Sequence, residues 1–268
     1  PIMIDAPWGH PINPNEVEDT LKKHGDVKAL AFVHAETSTG VRNDAEALAK
    51  IAQSFDVLTI VDGVTSLGGI PLKVDEWGLD FVYSGTQKCL SAPPGLSPIT
   101  VSERAAKTIA SRKHPVQSWF LDLNLVMDYW KGDGGRSYHH TAPVNALYGL
   151  REALLMLQEE GLTAAHERHE ACHKMLVDGL NALGLELLVT PNARLPQLNA
   201  VIVPEGKNEA DIRNTLLTGF DIEIGAGLGT LTGKIWRIGL MGQSANEDHV
   251  ASVLNALEAA LLQSKTHV

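Results

Sequence analysis

Cysteine is scarce in this chain of 268 residues: Cys89 and Cys172 are its only two. That excludes a disulfide framework and suits a reducing compartment. Basic residues are outnumbered, with 22 Lys and Arg against 32 Asp and Glu and a net charge of −10. A nucleic-acid or anionic-membrane surface would need clustered Lys and Arg, so neither partner is expected. The apolar runs fall short of the ~18 residues a membrane helix requires, and no basic-then-apolar leader opens the chain. The tail Ser264-Lys265-Thr266-His267-Val268 is not an S-K-L-type peroxisomal address, which leaves a cytoplasmic location as the expectation. Internal repeats and low-complexity tracts are also lacking. What remains is the composition of an ordinary globular protein, 44% apolar and 20% charged, long enough for one large domain with a smaller appendage.

Hydrophobic patterning predicts an α/β fold. Residues 28–33 and 57–61 are apolar runs separated by a helical pattern over 44–55, the arrangement of a βαβ unit with a right-handed crossover and a parallel sheet. Residues 81–84 and 98–101 extend that sheet, and Ser102 caps a helix to 111. The stretch 113–141 is aromatic and loop-rich, with Trp119, Phe120, Tyr129, Trp130 and Tyr138 around Gly132-Asp133-Gly134-Gly135. Helical periodicity returns over 144–160 and 162–183, each run stopped by a glycine. Beyond Gly184 the pattern becomes strand (185–189), strand (198–203), helix (209–217), strand (221–224), strand (235–238) and helix (245–262). This α+β pattern predicts a boundary near Gly161, dividing the chain into 1–160 and 161–268.

The run Val57-Leu58-Thr59-Ile60-Val61 ends in Asp62, and Lys88 follows 26 residues later, after Phe81-Val82-Tyr83-Ser84-Gly85-Thr86-Gln87. In open α/β sheets the chemistry sits just past the carboxyl ends of the strands. A lysine able to form a Schiff base and a carboxylate able to hold a pyridinium proton are the two groups that pyridoxal phosphate (PLP) chemistry requires. A solvated surface lysine and a turn-capping aspartate are the plain alternatives.

Further residues carry a resemblance. The segment from Asp80 to Ile99, with Gln87-Lys88 and Pro93-Pro94-Gly95-Leu96-Ser97, resembles the lysine signature of class V aminotransferases. The chain is similar to their alanine:glyoxylate and serine:glyoxylate (serine:pyruvate) branch through His34-Ala35-Glu36-Thr37-Ser38-Thr39-Gly40, Tyr138-His139-His140-Thr141 and Trp236-Arg237-Ile238-Gly239-Leu240-Met241-Gly242. The resemblance implies fold type I of the PLP-dependent transferases, a mostly parallel central sheet with a smaller α+β carboxy-terminal domain. It implies that Lys88 carries the cofactor, that Asp62 pairs with its pyridine nitrogen and that Thr37 contacts it. Gln87, Tyr138 and Thr141 would hold the phosphate, the last two across a homodimer interface, and Arg237 would receive the substrate carboxylate. The substrates implied are a small amino acid, alanine or serine, and glyoxylate or a similar 2-oxo acid. The family also has a longer amino-terminal segment, bearing a Gly-rich phosphate turn and a ring-stacking aromatic, that this chain is expected to lack.

Competing readings are open at this point. Ureidoglycine:glyoxylate transamination is one, and cysteine desulfuration is another. A desulfurase usually carries His just before the lysine, where this chain has Gln87, and needs a thiol on a mobile loop. His169-Glu170-Ala171-Cys172-His173 matches the H-E-x-x-H helix of zinc peptidases. Its helix, however, already has an apolar stripe at Ala165, Cys172, Leu176, Leu180 and Leu183, with His166 and His169 at the margin, and no third ligand stands out; no metal is expected. Gly225-Ala226-Gly227-Leu228-Gly229 misses the dinucleotide fingerprint and leads to a strand, which suits a substrate-side or hinge turn.

Overall fold

A computed structural model describes residues 1–131 and 137–263. The turn Gly132-Asp133-Gly134-Gly135 and the tail from Ser264 lie outside the described residues.

The first sheet has four strands, β1 (Ala29–Val33), β2 (Leu58–Asp62), β3 (Phe81–Tyr83) and β4 (Ile99–Val101), in that spatial order. β1, β2 and β3 are parallel, and β4 closes the edge antiparallel to β3. The strand predicted at 98–101 therefore runs against its neighbour. The short return from Lys88 to Ile99 contains no crossover helix, so the chain must come back antiparallel. A helix α1 (Pro14–Lys23) precedes β1, and α2 (Ala45–Ser54) connects β1 to β2. Asp44 caps α2 by accepting from Ala47 N at 2.9 Å, and Ala45, Leu48, Ala49 and Ala52 are buried along one face. With Val17, Leu21, Phe32, Val61 and Val82 they form one apolar core. Between β1 and α2 lies a two-rung hairpin, Ala35–Glu36 against Val41–Arg42, turning through Thr37 to Gly40.

α3 (Glu103–Ala110), α4 (Leu123–Lys131), α5 (Val144–Glu160) and α6 (Leu162–Ala182) follow. α5 has no buried residue along its 17 positions. α6 by contrast buries Ala165, His169, Cys172, His173, Leu176 and Leu180, so His169 is inside the apolar stripe rather than at its margin.

The second sheet is antiparallel: β5 (Leu198–Ile202), β7 (Ile235–Gly239) and β6 (Gly225–Ala226), with β7 in the middle. α6, α7 (Glu209–Phe220) and α8 (Glu247–Gln263) supply much of a separate core centred on Trp236, whose indole N–H donates to the Glu209 carbonyl at 3.1 Å. Two predicted strands here do not form. Residues 185–189 run beside β5, but only the isolated bridge Leu187–Val201 qualifies as a ladder pair. At 221–224 the chain is still closing α7: Asp221 adopts φ 55° and Ile222 N bonds back to the Leu216 carbonyl.

Candidate active site

Asp62 is the last residue of β2 and pairs in register with Tyr83, the last of β3. Its Oδ1 accepts from Val64 N at 2.9 Å and its Oδ2 from the Tyr83 hydroxyl at 2.8 Å, which fixes the carboxylate plane while each oxygen keeps a lone pair. Burial and then the adjacent Asp62 carboxylate push the Tyr83 hydroxyl up from its ordinary value, so it stays a donor. Sequence reasoning did not single out Tyr83; the signal was its position opposite Asp62 once two parallel strands are aligned.

Lys88 lies on a loop sewn shut at several levels. Ser84 N donates to the Pro98 carbonyl at 2.8 Å, the Thr86 hydroxyl to the Pro93 carbonyl at 2.7 Å, Ala92 N to the Thr86 carbonyl at 3.0 Å and Ser91 N to the Lys88 carbonyl at 3.0 Å. The Lys88 side chain is half-buried, that of Gln87 is exposed and that of Thr37 is half-buried. Among the described residues none of the three makes a side-chain hydrogen bond, so a lysine, an amide and a hydroxyl stand uncommitted around the strand ends. Together with the fixed Asp62 carboxylate, that donor set fits the aldehyde, phosphate and ring nitrogen of PLP.

Arg237 comes from β7 of the second sheet. Its Nε donates to the Ala226 carbonyl at 2.7 Å and its Nη1 to the Thr37 carbonyl at 3.0 Å, while Nη2 has no partner among the described residues. The guanidinium thus reaches from one sheet to the turn at the carboxyl end of the other. Gly40 makes that turn possible: it holds φ +81°, and a Cβ there would strike the Leu198 carbonyl oxygen. The Gly225–Ala226 segment supplies the Ala226 carbonyl that Arg237 Nε donates to.

Tyr138 and Thr141 are exposed and hydrogen-bonded to each other at 2.6 Å, and no bond joins them to Lys88, Asp62 or Arg237 of the same chain. His139 is buried, stacked on Trp119 at 4.1 Å between ring centroids and within 2.8 Å of His140, as packed histidines should be.

The imidazoles of the H-E-x-x-H segment are engaged within the fold. His169 Nδ1 lies 2.6 Å from the Ala165 carbonyl and its Nε2 accepts from Gly242 N at 3.0 Å, while His173 Nδ1 lies 2.7 Å from Asn199 Oδ1. Among the described residues no group of three His, Cys, Asp or Glu is arranged to hold an ion. Neither thiol is exposed: both cysteines are buried, and burial pushes the Cys89 thiol up to about 12, against smaller opposing effects of the Gly242 amide and Lys88. Cys89 Sγ instead bonds the Thr65 carbonyl at 3.4 Å. No helix of the described residues is long and apolar enough to cross a membrane.

The fold is shared with solved structures. An alanine–glyoxylate aminotransferase from Nostoc sp. superposes with a TM-score of 0.92 at 43% identity, covering 96% of this chain and 68% of that one. The fold is that of the type I PLP-dependent transferases. A family description, aminotransferase class-V, matches residues 8–248, and the chain belongs to that family. Among curated relatives, an alanine–glyoxylate aminotransferase of Callithrix jacchus is 43% identical over 97% of this chain and 63% of its own length. An (S)-ureidoglycine–glyoxylate transaminase of Bacillus subtilis is 39% identical over 97% of this chain and 66% of its own. The chain therefore spans about two thirds of the length of the curated relatives it matches.

Proposed function

We propose that the protein is a PLP-dependent aminotransferase that moves an amino group from alanine or serine to glyoxylate or a similar 2-oxo acid. The observation that carries this reading is the placement of Asp62 and the Lys88 loop at the carboxyl ends of adjacent parallel strands, with Arg237 extending to the same edge from the second sheet. The names of both relatives share glyoxylate and differ in the amino donor, which supports the acceptor more than the donor; ureidoglycine is the second donor to test.

PLP, when bound, supplies an aldehyde for covalent capture of amines and a ring that withdraws electrons from the substrate's Cα. Lys88 would hold that aldehyde through Nζ, and its amine, when free, would serve as general base and then general acid for the proton on the substrate's Cα. Asp62, fixed by Tyr83 and Val64, would face the ring nitrogen and favour its protonated form. Arg237 presents its free Nη2 edge to the substrate carboxylate. Gln87 and the Thr37 hydroxyl contribute neutral donors.

The phosphate contacts assigned to Tyr138 and Thr141 belong to a second copy's site, which accounts for their exposure and for the unburied face of α5 in the single chain. The assembly is then a homodimer, built of a cofactor domain at 1–160 and a smaller domain at 161–268. The two unpaired buried thiols suit a cytoplasmic location. Desulfuration is disfavoured, because it needs an accessible thiol and both are buried.

The test is an absorbance scan of the protein with added PLP, followed by borohydride reduction and peptide mapping. A visible band lost in Lys88→Ala and a pyridoxyl group on Lys88 are expected; a pyridoxyl group found elsewhere, or none, overturns the proposal.

A further inference from the structure

His169 is an imidazole that the proposed chemistry does not use, in a motif that matches a metal-binding helix. Both its nitrogens are nonetheless committed. The Ala165 carbonyl can only accept, so Nδ1 carries the proton; the Gly242 amide can only donate, so Nε2 is the acceptor. Burial, more than any neighbouring group, holds its pKa below the ordinary histidine value and keeps the ring in that neutral form.

The residue it grips begins the short turn Gly242–Ser244 that follows β7. The same turn is held twice more. Arg168 is locked by both oxygens of Glu160, at 2.6 and 2.9 Å, and donates its remaining Nη1 to the carbonyls of Gly242 and Ala245, each at 2.7 Å. Gln243 N donates to Ser91 Oγ at 2.9 Å. Ser91 is three residues past Lys88 and takes φ +57°, a left-handed conformation that costs a non-glycine residue about 1 kcal/mol. That cost is sustained where the hydroxyl meets the turn. Gly242 is required on the other side: its φ is also +57°, and a Cβ would run into Ser91 Oγ and within 2.9 Å of the Cys89 carbonyl oxygen.

Three elements therefore converge on one turn: α6 through Arg168 and His169, the Lys88 loop through Ser91, and β7, which carries Arg237 five residues earlier. We propose that this turn is a latch that sets the distance between Arg237 and Lys88, and that His169 and Ser91 are positioning residues for the reaction. The proposal rests on the aminotransferase reading for its consequence and on the hydrogen bonds alone for its geometry. A displacement of about 1 Å between an anchoring group and the reacting centre is enough to cost on the order of a hundredfold in rate.

The test compares His169→Leu, His169→Gln and Ser91→Ala in the full chain. Gln keeps an acceptor near the position of Nε2. Ala keeps the Cβ of Ser91 and its backbone strain but removes the hydroxyl. In the cofactor-free protein, hydrogen exchange of peptides covering 235–245 should speed up at least fivefold in His169→Leu and Ser91→Ala, return towards wild type in His169→Gln, and leave β1 to β3 unchanged. In the PLP-loaded protein kcat/KM for the amino donor should fall at least tenfold in the first two variants, with the cofactor band little changed. Unchanged exchange at 235–245 in Ser91→Ala overturns the latch, as does His169→Gln behaving like His169→Leu. Should His169→Leu fail to fold, the exposed Ser91 still decides the matter. Failure of the wild type to bind PLP overturns the aminotransferase reading and leaves the exchange result standing.

Discussion

Arg237 illustrates how one side chain can be both anchored and available. Nε and Nη1 are tied to main-chain carbonyls, so the guanidinium plane is fixed, and in the proposed role little rotamer entropy would be lost on binding a carboxylate. Lysine has the charge but not the planar fork. Arg237→Lys should therefore raise the KM for the amino donor by tenfold or more while leaving the PLP absorbance band intact, as steady-state kinetics beside a spectrum would show. His34, at the start of the Thr37 hairpin, is a different case. It is 3% exposed with Nδ1 unpartnered. Burial, and then the nearby Arg42 charge, lower its pKa from 6.5 to about 4. Between those values the unfolded chain binds a proton that the folded one refuses, so stability is full above pH 6.5 and falls as the pH drops towards 4. His34 alone should account for roughly 3 kcal/mol over that window. His34→Gln should flatten, though not abolish, the decline of the urea midpoint between pH 7 and 4.5, because His169 and His173 are lowered as well.

Elements show where sequence was informative. The βαβ unit, the Ser102 cap and the long helices follow from period and capping chemistry, and all appear. α1 was overlooked although Asn13 caps it, Pro14 takes its first turn and Val17 and Leu21 face inward at helical spacing. α4 lacks a stripe to mark it in the sequence, because residues 123–130 are at most half-buried in an aromatic-rich stretch. The alternation Ile222, Ile224 imitates a strand, but the left-handed Asp221 ends α7 there and the ladder starts only at Gly225. Asp62 and Lys88 could be singled out because strand ends announce themselves, and Arg237, in the middle of β7, through the family resemblance; Tyr83, Ser91 and the role proposed for His169 depend on contacts between distant segments. At the opposite edge from the candidate site, Asp80 ties β2, β3 and α3 together: it accepts from Thr59 N at 2.9 Å, Ser102 Oγ at 2.8 Å and Arg104 Nε and Nη2 at 3.1 and 2.6 Å. Burial alone would raise its carboxyl, but those bonds outweigh it and hold the pKa below the usual range. Asp80→Asn should destabilise the fold by about 3 kcal/mol in urea titration. The PLP band should survive, since the Lys88 loop is at the far end of the strands.

For the whole molecule, two apolar cores flank one edge at which the candidate residues meet, so cofactor binding and global stability are linked by mass action. PLP at a hundred times its dissociation constant should add about 2.7 kcal/mol, visible as a rise in melting temperature that shrinks in Lys88→Ala. Truncating Trp236, 0% exposed and central to the second core, to alanine should cost about 3–5 kcal/mol in the same assay. The hydrogen bond between Thr37 and Arg237 joins residues 200 positions apart in the chain. Synthesis proceeds from the amino end at about 5–20 residues per second. The Thr37 hairpin and the lysine loop therefore leave the ribosome many seconds before Arg237 does. Until then the first core must hold its hairpin without that clasp, so the tie between the two sheets is among the later contacts the growing chain can make.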